Sequence, residues 1–212
     1  MILVGQYDSP YVRRVAVSLQ MLGYRFDRDT RSVFGDAEAI RAINPLGRIP
    51  ALVLDGGEVL IDSAAILDWL DEQVGPERAL LPPRGAERRR ALQIMALATG
   101  ILDKAGAIVY ERTLRPSDKR YDAWLERCTT QVTSGLAALE AATGDGWYLG
   151  GEMRQPDVTV ACVLGYFPLR APELFVGYPK LAALLARAAA RPEFAHTRPA
   201  EDEVMPDGLA RA

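Results

Sequence analysis

Apolar positions recur along this chain in two different ways. Over roughly the first eighty residues short apolar runs alternate with helical patterns. Ile2-Leu3-Val4-Gly5 has the length of a short buried strand. From Tyr11 to Leu22 the residues Val12, Val15, Ala16 and Leu19 recur at helical spacing, directly after Ser9-Pro10. Ser at the N-cap with Pro at the first helical position starts a helix well, because Pro fixes φ and lacks only an N–H that has no partner inside the helix. Gly23 suits the stop. Residues 24–30 predict a second strand, with Tyr24 and Phe26 alternating against Arg25 and Asp27, and residues 36–43 a short helix. Beyond the irregular Asn44-Pro45-Leu46-Gly47-Arg48-Ile49-Pro50, the runs Ala51–Leu54 and Glu58–Ile61 flank Asp55-Gly56-Gly57, a β-hairpin signal. Asp62-Ser63 then opens a helix to about Val74, with Ile66, Leu67 and Leu70 on one face. The order β-α-β-α-β-β-α predicts an α/β layer that ends in a hairpin.

Strand signals stop there. The proline-rich stretch from Gly75 to Gly85 reads as an inter-domain linker, which gives expected boundaries of 1–77 for the α/β domain, 78–85 for the linker, 86–195 for an all-α domain and 196–212 for a tail. Helical spacing predicts one long helix over about 86–113 and a second over about 118–142. Val158 to Phe167 is apolar on all sides, so that helix is expected to be central and buried. Pro179 starts another helix that runs to about Ala190, and after Pro192 the pattern decays into a tail containing Pro199, Pro206 and Gly208.

Composition narrows the chemistry. The 212 residues carry a net charge of −3, so the basic footprint of a nucleic-acid binder is missing. Arg88-Arg89-Arg90 fits a solvated or inter-subunit helix face. The start lacks a signal-peptide pattern and no apolar run approaches ~20 residues, so a cytoplasmic protein without a membrane span is expected. Two cysteines, Cys128 and Cys162, stand 34 positions apart, and His196 is the single histidine. This inventory builds none of the usual thiol and imidazole metal clusters and makes no plausible Ser-His-Asp triad, and no metal is expected. Both cysteines fall on apolar helix positions and read as core thiols. Chemistry is left to hydroxyls, carboxylates, arginines, backbone groups or a borrowed cofactor.

Three features of the first domain share one edge in a thioredoxin-like arrangement: the helix start at Ser9, the Ile49-Pro50 loop and the helix start at Asp62-Ser63. Helix N-termini favour anions. A cis Pro50 would leave the Ile49 backbone groups pointing outward to pair with an extended peptide. Such a site suits a small peptide with a carboxylate at one end and a thiol near Ser9. Each feature also has a plainer use, since Ser9 and Ser63 can serve as helix caps and X-Pro bonds are mostly trans.

Ser9-Pro10-Tyr11-Val12-Arg13, Asn44-Pro45-Leu46-Gly47-Arg48-Ile49-Pro50 and Asp62-Ser63 together resemble the glutathione-binding domain of soluble glutathione S-transferases of the bacterial, serine-type kind. Trp147-Tyr148-Leu149-Gly150-Gly151-Glu152 with Asp157 resembles the turn into the central helix of that family's all-helical domain. The likeness runs over about residues 1–195. It implies a thioredoxin-like domain followed by an all-α domain, and a homodimer. By resemblance Ser9 donates to the glutathione sulfur, the Ile49 backbone pairs with the cysteinyl part, Pro50 is cis, Asp62 and Ser63 hold the γ-glutamyl amine and carboxylate, and Arg48 lies near the glycine carboxylate. Tyr7, at the end of the first strand, is the alternative hydroxyl. The chain lacks the Cys that thiol-transferring members carry at the Ser9 position, which disfavours mixed-disulfide chemistry there. It also has Arg154 where members commonly have Ser or Thr as a helix cap, and Asp157 is left as the candidate cap.

For a second, hydrophobic electrophilic substrate the candidate wall residues are Tyr11, Tyr110 and Tyr166. Arg13 is a further candidate for an anionic substrate, with a solvated helix face as its plainer reading. The implied function is a glutathione transferase that takes glutathione as co-substrate, stabilises its thiolate and conjugates it to hydrophobic electrophiles. Other glutathione-dependent chemistry (peroxide reduction, dehalogenation, isomerisation) and a non-catalytic binding module remain open alternatives.

Overall fold

The computed structural model describes residues 1–204. Packing divides the chain into two compact units, one made of Met1–Pro83 and the segment that begins at Arg191, the other of Arg84–Ala190. Positions 205–212, with Pro206 and Gly208 of the expected tail, lie outside the described residues.

The first unit runs β1 (Ile2–Val4), α1 (Pro10–Met21), β2 (Asp27–Asp29), α2 (Ala37–Ile43), β3 (Ala51–Val53), β4 (Val59–Ile61) and α3 (Ser63–Val74). The strands lie in the order β2-β1-β3-β4. β1 runs parallel to β2, and β3 runs antiparallel to both β1 and β4. This is the thioredoxin-like element order that the hydrophobic pattern predicts. β2 is shorter than the 24–30 expected because β1 offers three residues for pairing, Ile2 to Asp27, Leu3 to Arg28 and Val4 to Asp29. Tyr24 and Phe26 pack against the core ahead of the strand instead. Leu3, Val12, Val15, Leu19, Leu52, Ile66 and Leu70 form that core between the sheet, α1 and α3. Each such fully buried side chain contributes roughly 1.5–3 kcal/mol of transfer free energy.

The second unit holds α4 (Gly85–Thr113), α5 (Asp122–Ala142), α6 (Gln155–Leu164), α7 (Phe167–Arg170) and α8 (Pro179–Ala189), with short 3₁₀ turns at Ser117–Lys119 and Pro172–Leu174. All ten residues of α6 are buried, as its uniformly apolar sequence implies. α4 packs along α5 and α6. The approach to α5 is close at Gly135, where a Cβ would stand 2.5 Å from Ile101 Cγ1. α4 is long and apolar enough, by length and composition, to cross a membrane. Ala98, Ile101, Ala105 and Ile108 on it are buried. Cys128 and Cys162 are buried and unbridged.

Asp157 settles how α6 begins. Its carboxylate accepts from the Arg154 N–H at 2.9 Å and from the Tyr148 N–H at 2.8 Å. An arginine side chain has no acceptor for a helix N–H, so the aspartate does the tying. Burial raises its pKa above the ordinary carboxylate value despite these N–H donors.

After Pro192 the structure is more regular than the pattern predicts. α9 (Pro192–His196) and α10 (Glu201–Val204) are single helical turns. Elements this short carry no readable periodicity. The buried residues Phe194, Thr197 and Glu203 hold the segment down, while His196 is exposed.

Candidate functional site

An open cleft of about 350 Å³ lies in the first unit. Three pieces of chain wall it: Tyr11 on α1, Arg48-Ile49-Pro50 ahead of β3, and Asp62-Ser63 at the start of α3. The Ile49–Pro50 peptide is cis. Asn44 ties down the loop that precedes it, with Nδ2 donating to the Arg48 carbonyl at 2.8 Å and Oδ1 accepting from the Leu46 N–H at 3.1 Å. Asn44 and Leu46 also border the cleft. An Asn-Pro pair is a local turn signal, so the role of Asn44 was within reach of the sequence.

The floor of the cleft at Ser63 is set by Arg14. Ser63 Oγ accepts from Arg14 Nε at 3.1 Å and from the same guanidinium through NH2 at 2.7 Å. Both residues are buried, at 2% and 4% exposure. A hydroxyl oxygen has two acceptor sites and one hydrogen to give. With both acceptor directions used, the Ser63 hydroxyl keeps one hydrogen to give, beside a buried guanidinium at a helix N-terminus. A donor hydrogen beside a guanidinium at a helix N-terminus is chemistry that suits an anion. Arg14 was missed because a buried arginine breaks the apolar pattern of α1, and nothing local distinguishes it from Arg13 beside it. Arg13 is half-buried: its NH2 donates to the Phe194 carbonyl at 3.2 Å and its guanidinium lies 5.5 Å from the Phe194 ring centre.

Asp62 supplies the opposite chemistry. It is the N-cap of α3, with Oδ1 accepting from the Ala64 N–H at 2.7 Å. The cap expected of Ser63 therefore belongs to Asp62, and Ser63 is the first helical residue. Asp62 has φ +68°, alone in this among the described non-glycine residues. Positive φ costs a non-glycine residue roughly 1–3 kcal/mol, least for Asn and Asp, and such strain gathers at ligand sites. A carboxylate has about four acceptor directions, so the cap leaves capacity for a ligand cation.

Ser9 stands at the N-cap position of α1, two residues before Tyr11, and makes no side-chain cap hydrogen bond. It is half-buried and is not part of the cleft wall. Tyr7 lies elsewhere: its ring is 2% exposed within the hydrophobic core. The Arg28 guanidinium sits 3.5 Å from the ring centre. Burial pushes the phenol pKa up, with Arg28 opposing. Gly5 brings β1, α1 and the cis-proline loop together. At φ +129°, a Cβ there would come within 2.6 Å of Val12 Cγ2 and 2.9 Å of Ile49 Cβ. The run Ile2-Leu3-Val4-Gly5 gives no hint of that crowding. Of the other second-substrate candidates, Tyr110 is half-exposed on α4 and Tyr166 packs edge-on against Phe167 with ring centres 6.3 Å apart. Among the described residues no cluster of His, Cys, Asp or Glu has metal-binding geometry.

A thioredoxin-like unit with a cis-proline cleft, followed by a helical unit, defines a class of two-unit proteins with a cleft on the first. Family models agree: the glutathione S-transferase N-terminal domain matches residues 3–78 and the glutathione S-transferase C-terminal domain matches 122–187. The chain belongs to the glutathione S-transferase family. It is 32% identical over 199 residues to the GST-like protein YibF of Escherichia coli, covering 93% of this chain and 98% of that one. It is 30% identical to maleylacetoacetate isomerase of Pseudomonas aeruginosa, covering 96% and 98%. Among solved structures, a glutathione transferase family member from Pseudomonas fluorescens with bound glutathione superposes with a TM-score of 0.82 at 37% identity, covering 94% of this chain and 98% of that one.

Proposed function

We propose that this protein binds glutathione in the cleft of its first unit, stabilises the thiolate and transfers it to a hydrophobic electrophile. The observation that carries this reading is the pairing of Ser63, held as a donor by buried Arg14, with the Asp62 carboxylate one residue away. An α-amino acid end needs such a donor for its carboxylate and an acceptor for its ammonium. Ile49 and Pro50 lie beside them on the cleft wall and are the proposed partners of the cysteinyl backbone of an extended tripeptide, and Arg48, on the same wall, is the proposed partner of the glycine carboxylate. Ser9 is the catalytic hydroxyl of the proposal. A thiolate is favoured by an O–H donor and by a helix N-terminus, and the Ser9 side chain is not engaged in capping α1. Burial of Tyr7 in the core supports Ser9 over Tyr7. Tyr11 borders the cleft and is the first candidate for contact with the second substrate, with Tyr110 and Tyr166 retained as further ones. A cytoplasmic homodimer completes the reading, and light scattering on the eluted peak tests the dimer.

The test is thermal melting with and without glutathione. A ligand at a hundredfold its Kd adds about 2.7 kcal/mol, which raises the midpoint of a chain this size by roughly 5–10 °C. No rise at millimolar glutathione would sink the proposal. In the loaded protein Ser9→Ala should raise the pKa of the bound thiol by about one to two, the worth of a hydrogen bond to a charged group, with affinity nearly intact. Thiolate absorbance against pH reads this, and an unmoved midpoint hands the role to other donors. A second reading has its own support in the likeness to maleylacetoacetate isomerase. In this second reading the bound thiolate adds to an activated double bond of the substrate, the resulting single bond rotates, and the thiolate leaves again. Glutathione that is consumed in turnover supports transfer, and glutathione that is returned supports isomerisation.

A further inference from the structure

The β1–α1 turn that carries Ser9 is gripped on both sides by the C-terminal segment. Ahead of Ser9, the Tyr7 backbone N–H donates to Glu203 Oε2 at 3.2 Å. Arg28 NH2 donates to Glu203 Oε1 at 2.5 Å while its guanidinium covers the Tyr7 ring. Behind Ser9, Arg13 donates to the Phe194 carbonyl and lies over the Phe194 ring. Glu203 is 4% exposed. A carboxylate that deep is costly unless both oxygens are paired. Here Oε1 has the Arg28 charge, and Oε2 accepts from the N–H groups of Tyr7 and Ala200.

Ser9, in contrast, is weakly held on its strand side. Its carbonyl accepts from the Arg13 N–H at 2.9 Å and so ties it to α1, but its side chain makes no cap bond, and on the strand side its backbone N–H reaches only the Gln6 carbonyl at 3.3 Å. The position of its hydroxyl is therefore set by α1 on one side and by the backbone at Gln6 and Tyr7 on the other, the point that Glu203 holds from 196 positions away. We propose that Glu203 is a positioning residue for Ser9: by fixing the Tyr7 amide it sets the Ser9 hydroxyl where a bound thiolate needs it. This rests on the reading that Ser9 serves a glutathione thiolate.

Charge and position pull the bound thiol in opposite directions, which makes the idea testable. Removing a nearby negative charge favours the thiolate and lowers the thiol pKa. Misplacing the hydroxyl raises it. In the full chain loaded with glutathione, Glu203→Ala should speed hydrogen exchange of the Tyr7 amide by about tenfold or more. It should also raise the thiolate midpoint and cut kcat with a model electrophile by about 10–100-fold, the usual cost of misplacing a reacting group by an ångström, with glutathione affinity little changed. Glu203→Gln keeps an acceptor without the charge and should hold the midpoint at or below the wild-type value. Glu203→Asp keeps the charge but draws the acceptor back by one methylene and should raise it. The Asp and Gln pair carries the comparison should Glu203→Ala fail to fold. A midpoint that stays or falls in Glu203→Asp, with glutathione still bound, overturns the positioning role and leaves the glutathione reading standing. Absence of glutathione binding by the wild-type chain overturns both, and that titration is read before any variant is made.

Discussion

Ser63→Ala separates two functions that one hydroxyl performs. Its oxygen is the acceptor for two donors of the buried Arg14 guanidinium, and its hydrogen is the donor proposed for the ligand carboxylate. Helix capping is not involved, because Asp62 caps α3. Removing the oxygen leaves Arg14 Nε and NH2 without this partner in a site where Ser63 is 2% exposed. Unsatisfied buried donors cost about 1–3 kcal/mol, more when charged. A loss of about 2–3 kcal/mol is expected, or roughly 5–10 °C in midpoint for a chain of this size. Glutathione affinity should fall about 10–100-fold, since a hydrogen bond to a charged group is worth about 1.5–3 kcal/mol. The assay is a double-mutant cycle with Arg14→Met, by thermal melting and by isothermal titration. Once the guanidinium is gone, Ser63→Ala should cost less than about 1 kcal/mol in stability, because no charged donor is orphaned. Equal stability costs in both backgrounds would refute the Arg14–Ser63 argument. Unchanged affinity for glutathione would refute the donor role of Ser63.

Three further outcomes follow from the geometry. Gly5→Ala should cost about 2–4 kcal/mol from overpacking and positive φ together. Val12 Cγ2 can rotate away but Ile49 Cβ cannot, and a midpoint within a degree of wild type would show that the β1–α1 turn yields. Asp62→Asn suits the same φ and keeps a cap acceptor, so stability should change by less than about 0.5 kcal/mol, while glutathione affinity falls for want of a charge facing its ammonium; equal affinity by titration would remove Asp62 from the site. Asp157 has its folded pKa raised by burial, so its stabilising contribution is full below the unfolded carboxylate pKa and is lost as pH rises through the higher folded value. Between wild type and Asp157→Asn, the stability difference measured by urea titration should vary with pH across that window, and a constant difference would contradict the shift.

Much of the first unit was legible in sequence because its signals are local. A short apolar run, a Ser-Pro helix start, a Gly-Gly hairpin and an Asn-Pro turn each act over a few residues, and their order alone gives the thioredoxin-like succession of elements. The Asn44–Pro50 string and the Asp62-Ser63 pair are local in the same sense, and the cleft gathers both. The extent of β2 was not legible, since a strand ends where its partner ends and β1 has three residues to offer.

What remained was decided by residues far apart in the chain. Arg14 meets Ser63 across 49 positions, Arg13 meets Phe194 across 181, and Tyr7 meets Glu203 across 196. Hydrophobic periodicity reports which face of an element is apolar; it cannot report which polar side chain the fold will bury, or against what. The burial of Arg14, the cap on Asp62 rather than Ser63, the place of Tyr7 in the core and the need for glycine at position 5 all follow from such meetings. By itself the sequence determined the succession of elements in the first unit and the chemical vocabulary of the cleft. The tertiary structure decided which groups are held as donors and which as acceptors, because a side chain's hydrogen-bonding role depends on the partners that folding brings to it.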